Sequence, residues 1–193
     1  MEDNPLSHLE LRTLRYLGFK GEPSEEQIRM IRDAAAEAKR FARPGFVYRY
    51  LELKKDQEGH LYVDVPLDIS YPSLQTMLIK KDSDCICILV STLGPAVDKR
   101  ISDLSQRDSA GMLLLDAAAN ALIEEETNAF QKKLGLHEES FRYAPGYGDV
   151  PLSMQREIFD LMPEIAKLGI VLDDSNIMHP FKSMTGIIGF KDR

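Results

Sequence analysis

The spacing of apolar residues predicts two helices near the start of the chain. Residues 7–20 carry leucines near helical spacing and reach a stop signal at Gly18, which is typical of a short helix. Residues 21–45 predict a stronger helix, because Ser24 can cap its first turn and Gln27, three residues on, completes a capping box. The apolar stripe of this second helix needs a partner surface elsewhere in the chain.

The pattern then changes to alternation, which predicts strands. Residues 46–55 and 61–69 both alternate apolar and polar positions, and the letters DQEGH between them are typical of a hairpin turn. Residues 73–80 can begin as a helical turn. Residues 84–94 contain an apolar run that predicts a buried strand ending at the Gly94-Pro95 pair.

The second half returns to helical spacing. Residues 96–135 predict a long helical stretch with a break between Asp108 and Gly111. Residues 153–162 predict another helix, with Pro151 at or near its first turn.

Two closing strands are predicted at residues 169–174 and 184–190. The order of helices, strands, helices and strands is not a βαβ alternation, so we expect an α+β fold with an antiparallel or mixed twisted sheet and flanking helices. We expect residues 1–45 to be an N-terminal helical segment packed on a main α+β domain of residues 46–193.

Composition and charge exclude several classes of protein. The 193 residues are 44% hydrophobic, enough to bury a core. A net charge of -7 argues against a nucleic-acid binder and against attachment to an anionic membrane. The apolar run CICILV is far shorter than the roughly 20 residues of a membrane span. The first ten residues are acidic and polar, unlike a signal peptide, so we expect a cytoplasmic protein.

The cysteines and histidines do not indicate a disulfide or a metal site. Cys85 and Cys87 lie two apart on a predicted strand and so face the same way, which disfavours a bond between them. We expect two small thiols in a reducing compartment. The four histidines are dispersed and lack the spacing of zinc ligands.

The long helix carries an apolar face and a polar face. The apolar face is formed by Leu115, Ala119, Leu122, Ala129 and Phe130. Glu126 falls within this face, so it needs a partner or lies where the helix end meets solvent. The opposite face carries a polar ladder, Asp116, Asn120, Glu124 and Asn128. The ladder is either a solvated surface or the wall of a cleft. In the second case, the small side chains of Ala117 and Ala121 would let another element approach closely.

The loop FRYAPGYGDVPL, residues 141–152, is stiff and lacks an apolar period. Arg142 could clamp a carboxylate, and Tyr143 and Tyr147 offer flat faces with polar tips. The segment Ala144-Pro145-Gly146 would let a ligand approach the backbone, and its proline limits the entropy lost on binding. These residues indicate either a plain structural turn or a binding loop for a ligand with one carboxylate and one flat ring.

Three ordered motifs resemble the activation (reactivation) domain of cobalamin-dependent methionine synthase. The family carries an R-x-A-P-G-Y loop followed by a helix, then L-T-E-S-x-x-M-x-P, then S-x-S-G and a final strand. The resemblance extends from about residue 85 to 193, and the N-terminal part looks like that of free-standing versions of the domain. Asp173-Asp174 stand where the family has Thr-Glu. The matching residues are Arg142, Ala144, Pro145, Gly146 and Tyr147, then Leu172, Ser175, Met178 and Pro180, then Ser183, Thr185 and Gly186.

The resemblance implies S-adenosylmethionine as the ligand. In the family, the loop arginine holds the methionine carboxylate, which here corresponds to Arg142. The backbone at Ala144 would meet the adenine, and Tyr147 would lie near the ligand and the cobalamin. A helix glutamate that approaches the ligand is best matched by Glu124. The fused domain also uses an acidic residue of an N-terminal segment, for which this sequence shows no equivalent.

The resemblance also implies a function in trans. Cobalamin carried by a partner protein would be rescued from the inactive cob(II)alamin state by one electron and the methyl group of S-adenosylmethionine. The partner would be the cobalamin-binding domain of a methionine synthase or another corrinoid protein, and a flavodoxin-type protein could supply the electron. Positioning and exclusion of water would be the chain's own work.

Two other functions stay open. The first is a scaffold or structural subunit of a corrinoid methyltransferase system that kept the fold without binding the ligand. The second is a conventional methyltransferase, which the sequence supports less because no general base accompanies the loop. Hydrolase and nucleotide-binding motifs (G-x-S-x-G, G-x-x-x-x-G-K-[ST], G-x-G-x-x-G before a helix) are absent from the sequence.

Overall fold

A computed structural model describes residues 6–192. The first five residues of the acidic N-terminus therefore lie outside the described part of the chain. The helices are α1 (His8–Tyr16), α2 (Glu25–Phe41), α3 (Pro72–Lys80), α4 (Pro95–Ser105), α5 (Ser109–Leu134) and α6 (Met154–Leu161), with a 3₁₀ helix at Pro163–Leu168. The strands are β1 (Gly45–Glu52), β2 (Lys54–Lys55), β3 (Leu61–Tyr62), β4 (Cys85–Thr92), β5 (Val171–Leu172), β6 (Met178–His179) and β7 (Ser183–Phe190).

The central element is an antiparallel sheet of three strands in the order β1-β4-β7. Strand β4 lies between the other two, and nearly all its residues are buried. Ile86, Ile88 and Val90 belong to a core that continues into α3 and α6. Cys87 and Leu89 point to the opposite face. A strand that is covered on both faces has a continuous apolar sequence, as β4 has. The predicted α+β fold with an antiparallel sheet is confirmed.

The helices α1, α2 and α4 pack on the long helix α5. Small residues line the contact with α2, where Ala38 and Ala118 are fully buried. The predicted capping box of α2 is confirmed, since Ser24 Oγ accepts from the Gln27 amide and the Gln27 side chain accepts from the Ser24 amide. The predicted helix break is also confirmed, because Asp108 caps α5. The division of the chain at residue 45 stays a prediction.

The strand predicted at residues 61–69 is wrong beyond its first two residues. Only Leu61–Tyr62 pairs, and the rest is a loop whose Leu67 and Ile69 are nevertheless buried. Pro66 has no N–H for a ladder, and the Gln75 side chain of α3 bonds the backbone of Leu61 and Ile69 instead. Alternating burial here reflects packing against a helix.

Two further boundaries differ from the prediction. The strand predicted at residues 169–174 stops at Leu172, because Asp173 Oδ1 accepts from the amides of Ser175 and Ile177 and turns the chain. The returning strand β6 was not predicted. Helix α6, in contrast, agrees with the predicted residues 153–162 to within one residue at each end.

The described residues carry neither of two special features. No helix within residues 6–192 is both long and apolar enough to cross a membrane. The same residues contain no group of three or more His, Cys, Asp or Glu side chains able to hold a metal ion. Cys85 and Cys87 are free thiols, and burial raises the pKa of Cys87 to about 12.

Candidate ligand-binding site

The stiffness of the 141–152 loop comes from a tight turn at its centre. The amide of Tyr147 donates to the carbonyl oxygen of Ala144 at 3.1 Å, and Gly146 has φ +86°. A proline followed by a residue with positive φ is the signature of a type II turn, which explains why Pro145 and Gly146 stand together. The Gly146 amide also donates to the Val150 carbonyl at 3.0 Å, so the loop is fixed by its own backbone.

The loop is joined to the sheet beside β7. Tyr143 and Ile187 exchange both backbone hydrogen bonds, at 2.8 and 2.7 Å. The Tyr143 side chain is buried in the core, and its hydroxyl lies 2.5 Å from Ser73 Oγ. The prediction that Tyr143 offers a face to a ligand is therefore wrong, because its ring anchors the loop. Tyr147 remains 70% exposed, with its ring edge-on to Tyr143.

Arg142 reaches across β7 to helix α5. Its aliphatic part lies directly on Gly186, where an added Cβ would overlap Arg142 Cγ and lie 2.7 Å from Cδ. Its guanidinium donates to Gln131 Oε1 at 2.6 Å and to Asn128 Oδ1 at 3.0 Å. Both acceptors are uncharged amides, so these contacts orient the cation without neutralising it. Burial lowers the pKa of Arg142 from its usual value.

The polar ladder of α5 is covered by cationic side chains from other elements. Lys182 donates to Asp116 and Asn120, and Arg142 to Asn128. The ladder is therefore half-buried beneath these side chains, which favours the cleft-wall interpretation over a fully solvated surface. Ala117 and Ala121 beside the ladder are buried, in agreement with a close approach of other elements.

Glu124, in the middle of the ladder, is bonded to helix α1. Arg12 Nη1 donates to Glu124 Oε2 at 2.9 Å, and the Tyr16 hydroxyl donates to the other oxygen. Burial, helped by the Glu124 carboxylate, raises the pKa of Tyr16 to about 12. Glu126, whose environment the sequence left open, is half-buried.

A cavity of about 410 Å³ lies between α1 and α5 beside Arg142. Arg12 lines it from α1, and Asn128 and Gln131, the two partners of Arg142, line it from α5. The cavity, the oriented guanidinium and the Glu124 carboxylate therefore share one side of α5.

Comparison with solved structures identifies the fold of the chain. A crystal structure of the MetH reactivation domain bound to AdoHcy superposes with a TM-score of 0.64, covering 92% of this chain and 72% of that chain at 17% sequence identity. This chain has the fold of the MetH reactivation domain. No protein-family model matches the chain, and a search of curated proteins found no match.

Within the reactivation-domain fold, the predicted site residues do not all meet. Arg142 bonds to Asn128, which follows Glu124 by four residues on α5. The Arg142 guanidinium and the Glu124 carboxylate therefore lie on the same face of α5, one turn apart. Pro145 is buried in the turn, while Gly146 and Tyr147 are exposed at its other end.

The sequence did not predict the contacts of three residues of the site. Asn128 was placed on the ladder but not paired with Arg142, and Gln131 and Arg12 were missed altogether. All three depend on contacts between distant segments, for which a single sequence carries no signal.

Proposed function

We propose that the chain binds S-adenosylmethionine beside Arg142. The observation that carries this proposal is the Arg142 side chain, whose aliphatic part lies on Gly186 and whose guanidinium is held by two neutral amides. Arg142 forms no direct ion pair among residues 6–192, although the carboxylates of Glu124 and Glu139 act on it from a distance. Its oriented guanidinium can bind a further carboxylate through two parallel hydrogen bonds. The likeness of fold to a domain bound to AdoHcy supports the same ligand class.

The surroundings of Arg142 fit the other parts of this ligand. Glu124 supplies a carboxylate for an ammonium group, and its two oxygens can accept more donors than Arg12 and Tyr16 provide. The turn at Ala144, Pro145 and Gly146 is held rigid by its own backbone hydrogen bonds, and its exposed end at Gly146 offers an edge for the adenine. The neighbouring cavity of about 410 Å³ lies within the usual range for small-molecule sites.

The proposed role is reductive methylation of cobalamin carried by a partner protein. One electron from a donor such as a flavodoxin-type protein would reduce cob(II)alamin. The methyl group would then move from sulfur to cobalt, leaving S-adenosylhomocysteine. The partner would be the cobalamin-binding domain of a methionine synthase or another corrinoid protein, met in the cytoplasm. Tyr147, 70% exposed at the end of the turn, is available to contact it.

A second candidate function is a scaffold that kept the fold and lost the ligand. The contact of Glu124 with α1 favours it, since Arg12 and Tyr16 already engage the carboxylate that the ligand's ammonium would need. In this alternative the ladder serves only to attach α1, β7 and the loop to α5.

Calorimetry with S-adenosylmethionine separates the two functions. We expect the wild-type chain to bind, and Arg142→Gln to lose about 10-fold or more in affinity, since a charge-assisted hydrogen bond contributes about 1.5–3 kcal/mol. Arg156→Gln is the matched control, because Arg156 is an exposed arginine that also bonds an asparagine side chain, away from the site. Absence of heat in the wild-type protein would favour the scaffold.

The transfer itself is tested with a methyl-labelled ligand. The chain is mixed with a partner carrying cob(II)alamin, a reductant and methyl-labelled S-adenosylmethionine. Label on cobalt that depends on the chain and on Arg142 supports reactivation. Binding without transfer to any corrinoid protein tested would leave ligand binding intact and refute the reactivation role.

A further inference from the structure

Arg142 has two hydrogen-bond acceptors on α5, and only one of them is fixed by a further contact. Asn128 Oδ1 accepts from the guanidinium at 3.0 Å, but the Asn128 amide nitrogen has no hydrogen-bond partner within the part of the chain that the structure describes. Gln131 Oε1 accepts from Arg142 Nη1 at 2.6 Å, and the Gln131 amide nitrogen donates to Glu139 Oε2 at 3.0 Å. The Gln131 amide is therefore held at both ends.

Glu139 determines which end of the Gln131 amide faces Arg142. The oxygen and nitrogen ends of an amide have nearly the same shape, but only the oxygen can accept from a guanidinium. Because the Glu139 carboxylate accepts from the nitrogen end, the oxygen end is turned toward Arg142. Gln131 is 8% exposed, so a flipped amide would leave buried polar atoms without partners, which is costly.

The neutrality of the Gln131 side chain is as important as its orientation. A carboxylate in its place, 2.6 Å from Arg142 Nη1, would form an ion pair and compensate the charge that a ligand carboxylate needs. The amide oxygen accepts the hydrogen bond without carrying a full charge. The charged group, Glu139, bonds to the far end of the amide and acts on Arg142 only through space.

We propose that Gln131 and Glu139 are positioning residues, which hold the Arg142 guanidinium in place for the carboxylate of the ligand. Glu139 orients the Gln131 amide, and the Gln131 oxygen orients Arg142. Both side chains line the cavity of about 410 Å³ beside Arg142. This inference rests on the proposed function, because it concerns how the same site recognises S-adenosylmethionine.

Two ligands separate recognition of the carboxylate from the general integrity of the site. They are S-adenosylmethionine and its decarboxylated form, which keeps the adenosine, the sulfonium and the amine. Calorimetry on the full chain gives the ratio of the two affinities, and the wild type should prefer S-adenosylmethionine by about 10-fold or more. In Gln131→Glu the preference should fall to about threefold or less, since the introduced carboxylate pairs with Arg142. A merely structural defect would weaken both ligands and leave the ratio unchanged.

Two substitutions of Glu139 separate its hydrogen bond from its charge. Glu139→Gln keeps an oxygen that can accept from Gln131 and removes the charge, so the preference should stay within about twofold of wild type. Glu139→Met removes the acceptor and frees the Gln131 amide, so the preference should fall by about fivefold. Equal preferences in these two variants would show that Glu139 does not act by orienting Gln131, and would overturn the proposal.

The matched control is Glu138→Met. It removes the neighbouring carboxylate, which pairs with Lys191 and makes no bond to Gln131. This variant should keep the wild-type preference, and a loss equal to that of Glu139→Met would overturn the proposal.

A measurement on the free protein tests the same contacts without any ligand. Hydrogen bonds at both Nη atoms restrict rotation of the Arg142 guanidinium, so its two Nη signals should stay separate in nitrogen-detected NMR spectra. Glu139→Met should merge these signals, and Glu139→Gln should keep them apart. Separate signals in Glu139→Met would show that Arg142 is positioned without Glu139.

Failure of this inference can be told from failure of the proposed function. If the wild type binds neither ligand, the proposed function is wrong, and the NMR spectra alone decide whether Glu139 orients Gln131 and Arg142. If the wild type prefers S-adenosylmethionine and Glu139→Met keeps the full preference, only the positioning role is wrong.

Discussion

Gly186 fixes the position of the Arg142 side chain, and replacing it with alanine tests that relation. A Cβ at position 186 would overlap Arg142 Cγ and lie 2.7 Å from Cδ, while the nearest backbone atom, the Tyr143 carbonyl oxygen, would be 3.4 Å away. The strand itself can therefore accept alanine, and the arginine must move. Movement of Cγ and Cδ strains or breaks the bonds to Gln131 and Asn128.

The structure gives an expected magnitude for Gly186→Ala. Overfilling a packed site costs about 1–3 kcal/mol, and we expect about 2 kcal/mol of destabilisation here. Arg142→Ala should cost about 2 kcal/mol through its two charge-assisted bonds. In the double variant, Cγ and Cδ are gone and the overlap disappears. The double variant should therefore be about 2 kcal/mol more stable than additivity predicts.

Urea unfolding measures all three variants. With a slope of about 2 kcal/mol/M, each single substitution should lower the midpoint by about 1 M. S-adenosylmethionine affinity, measured in parallel, should fall in Gly186→Ala. Gly189→Ala is the matched control on the same strand, since its Cβ would overlap Ser83 Oγ and lie 2.7 Å from Leu78 Cδ2, away from Arg142. It should destabilise without changing affinity.

Additive free energies would refute the reasoning. If the double variant loses the sum of the single losses within about 0.5 kcal/mol, Gly186 does not act through Arg142. An equal loss of ligand affinity in Gly189→Ala would show that general loosening of β7 explains the effect.

Three other predictions concern stability and reactivity. The pKa of Tyr16 is about 10 in the unfolded chain and about 12 in the folded protein. The contribution of Tyr16 to stability is therefore present below pH 10 and is lost as the pH rises from 10 to 12. Urea unfolding should show this loss, and the loss should be smaller in Tyr16→Phe. Lys182→Met should cost about 1–3 kcal/mol by leaving a carboxylate and an amide without their donor, whereas Lys99→Met, in an exposed pair, should cost under about 0.5 kcal/mol in the same assay. Cys87, with a pKa of about 12, should react with a thiol reagent at pH 8 only after unfolding; reaction in the folded protein, followed in Cys85→Ser, would contradict its burial.

The parts of the fold that follow from local rules could be predicted. The box of Ser24 and Gln27 and the cap at Asp108 act within one turn of chain, so the sequence carries the whole signal. Strands β4 and β7 are apolar on both faces, and no other element fits runs of that length. The strand prediction for residues 61–69 was wrong because the alternation of apolar and polar residues there reflects packing against α3. The Gln75 side chain supplies the hydrogen bonds to this segment.

The site was predictable only in its contiguous part. The turn at Pro145 and Gly146 follows from the backbone preferences of these two residues, and the loop motif placed Arg142 just before the turn. The burial of Tyr143 depends on β7 and Ser73, which are distant in sequence. The acceptors of Arg142 likewise lie on α5, at positions that helical periodicity alone marks as polar but does not pair.

The contact between α1 and Glu124 is the point on which the two proposed functions differ. The sequence resemblance leads to the expectation of an acidic contact from an N-terminal segment, whereas α1 brings Arg12 to Glu124 at 2.9 Å. A carboxylate accepts several donors, so a ligand ammonium could join Arg12 and Tyr16 without displacing them. The ammonium would then lie close to two guanidinium groups, and their repulsion opposes a ligand that also carries a sulfonium. Binding therefore requires either that the ligand carboxylate compensates Arg142 fully, or that α1 withdraws Arg12; if neither happens, the fold serves as a scaffold.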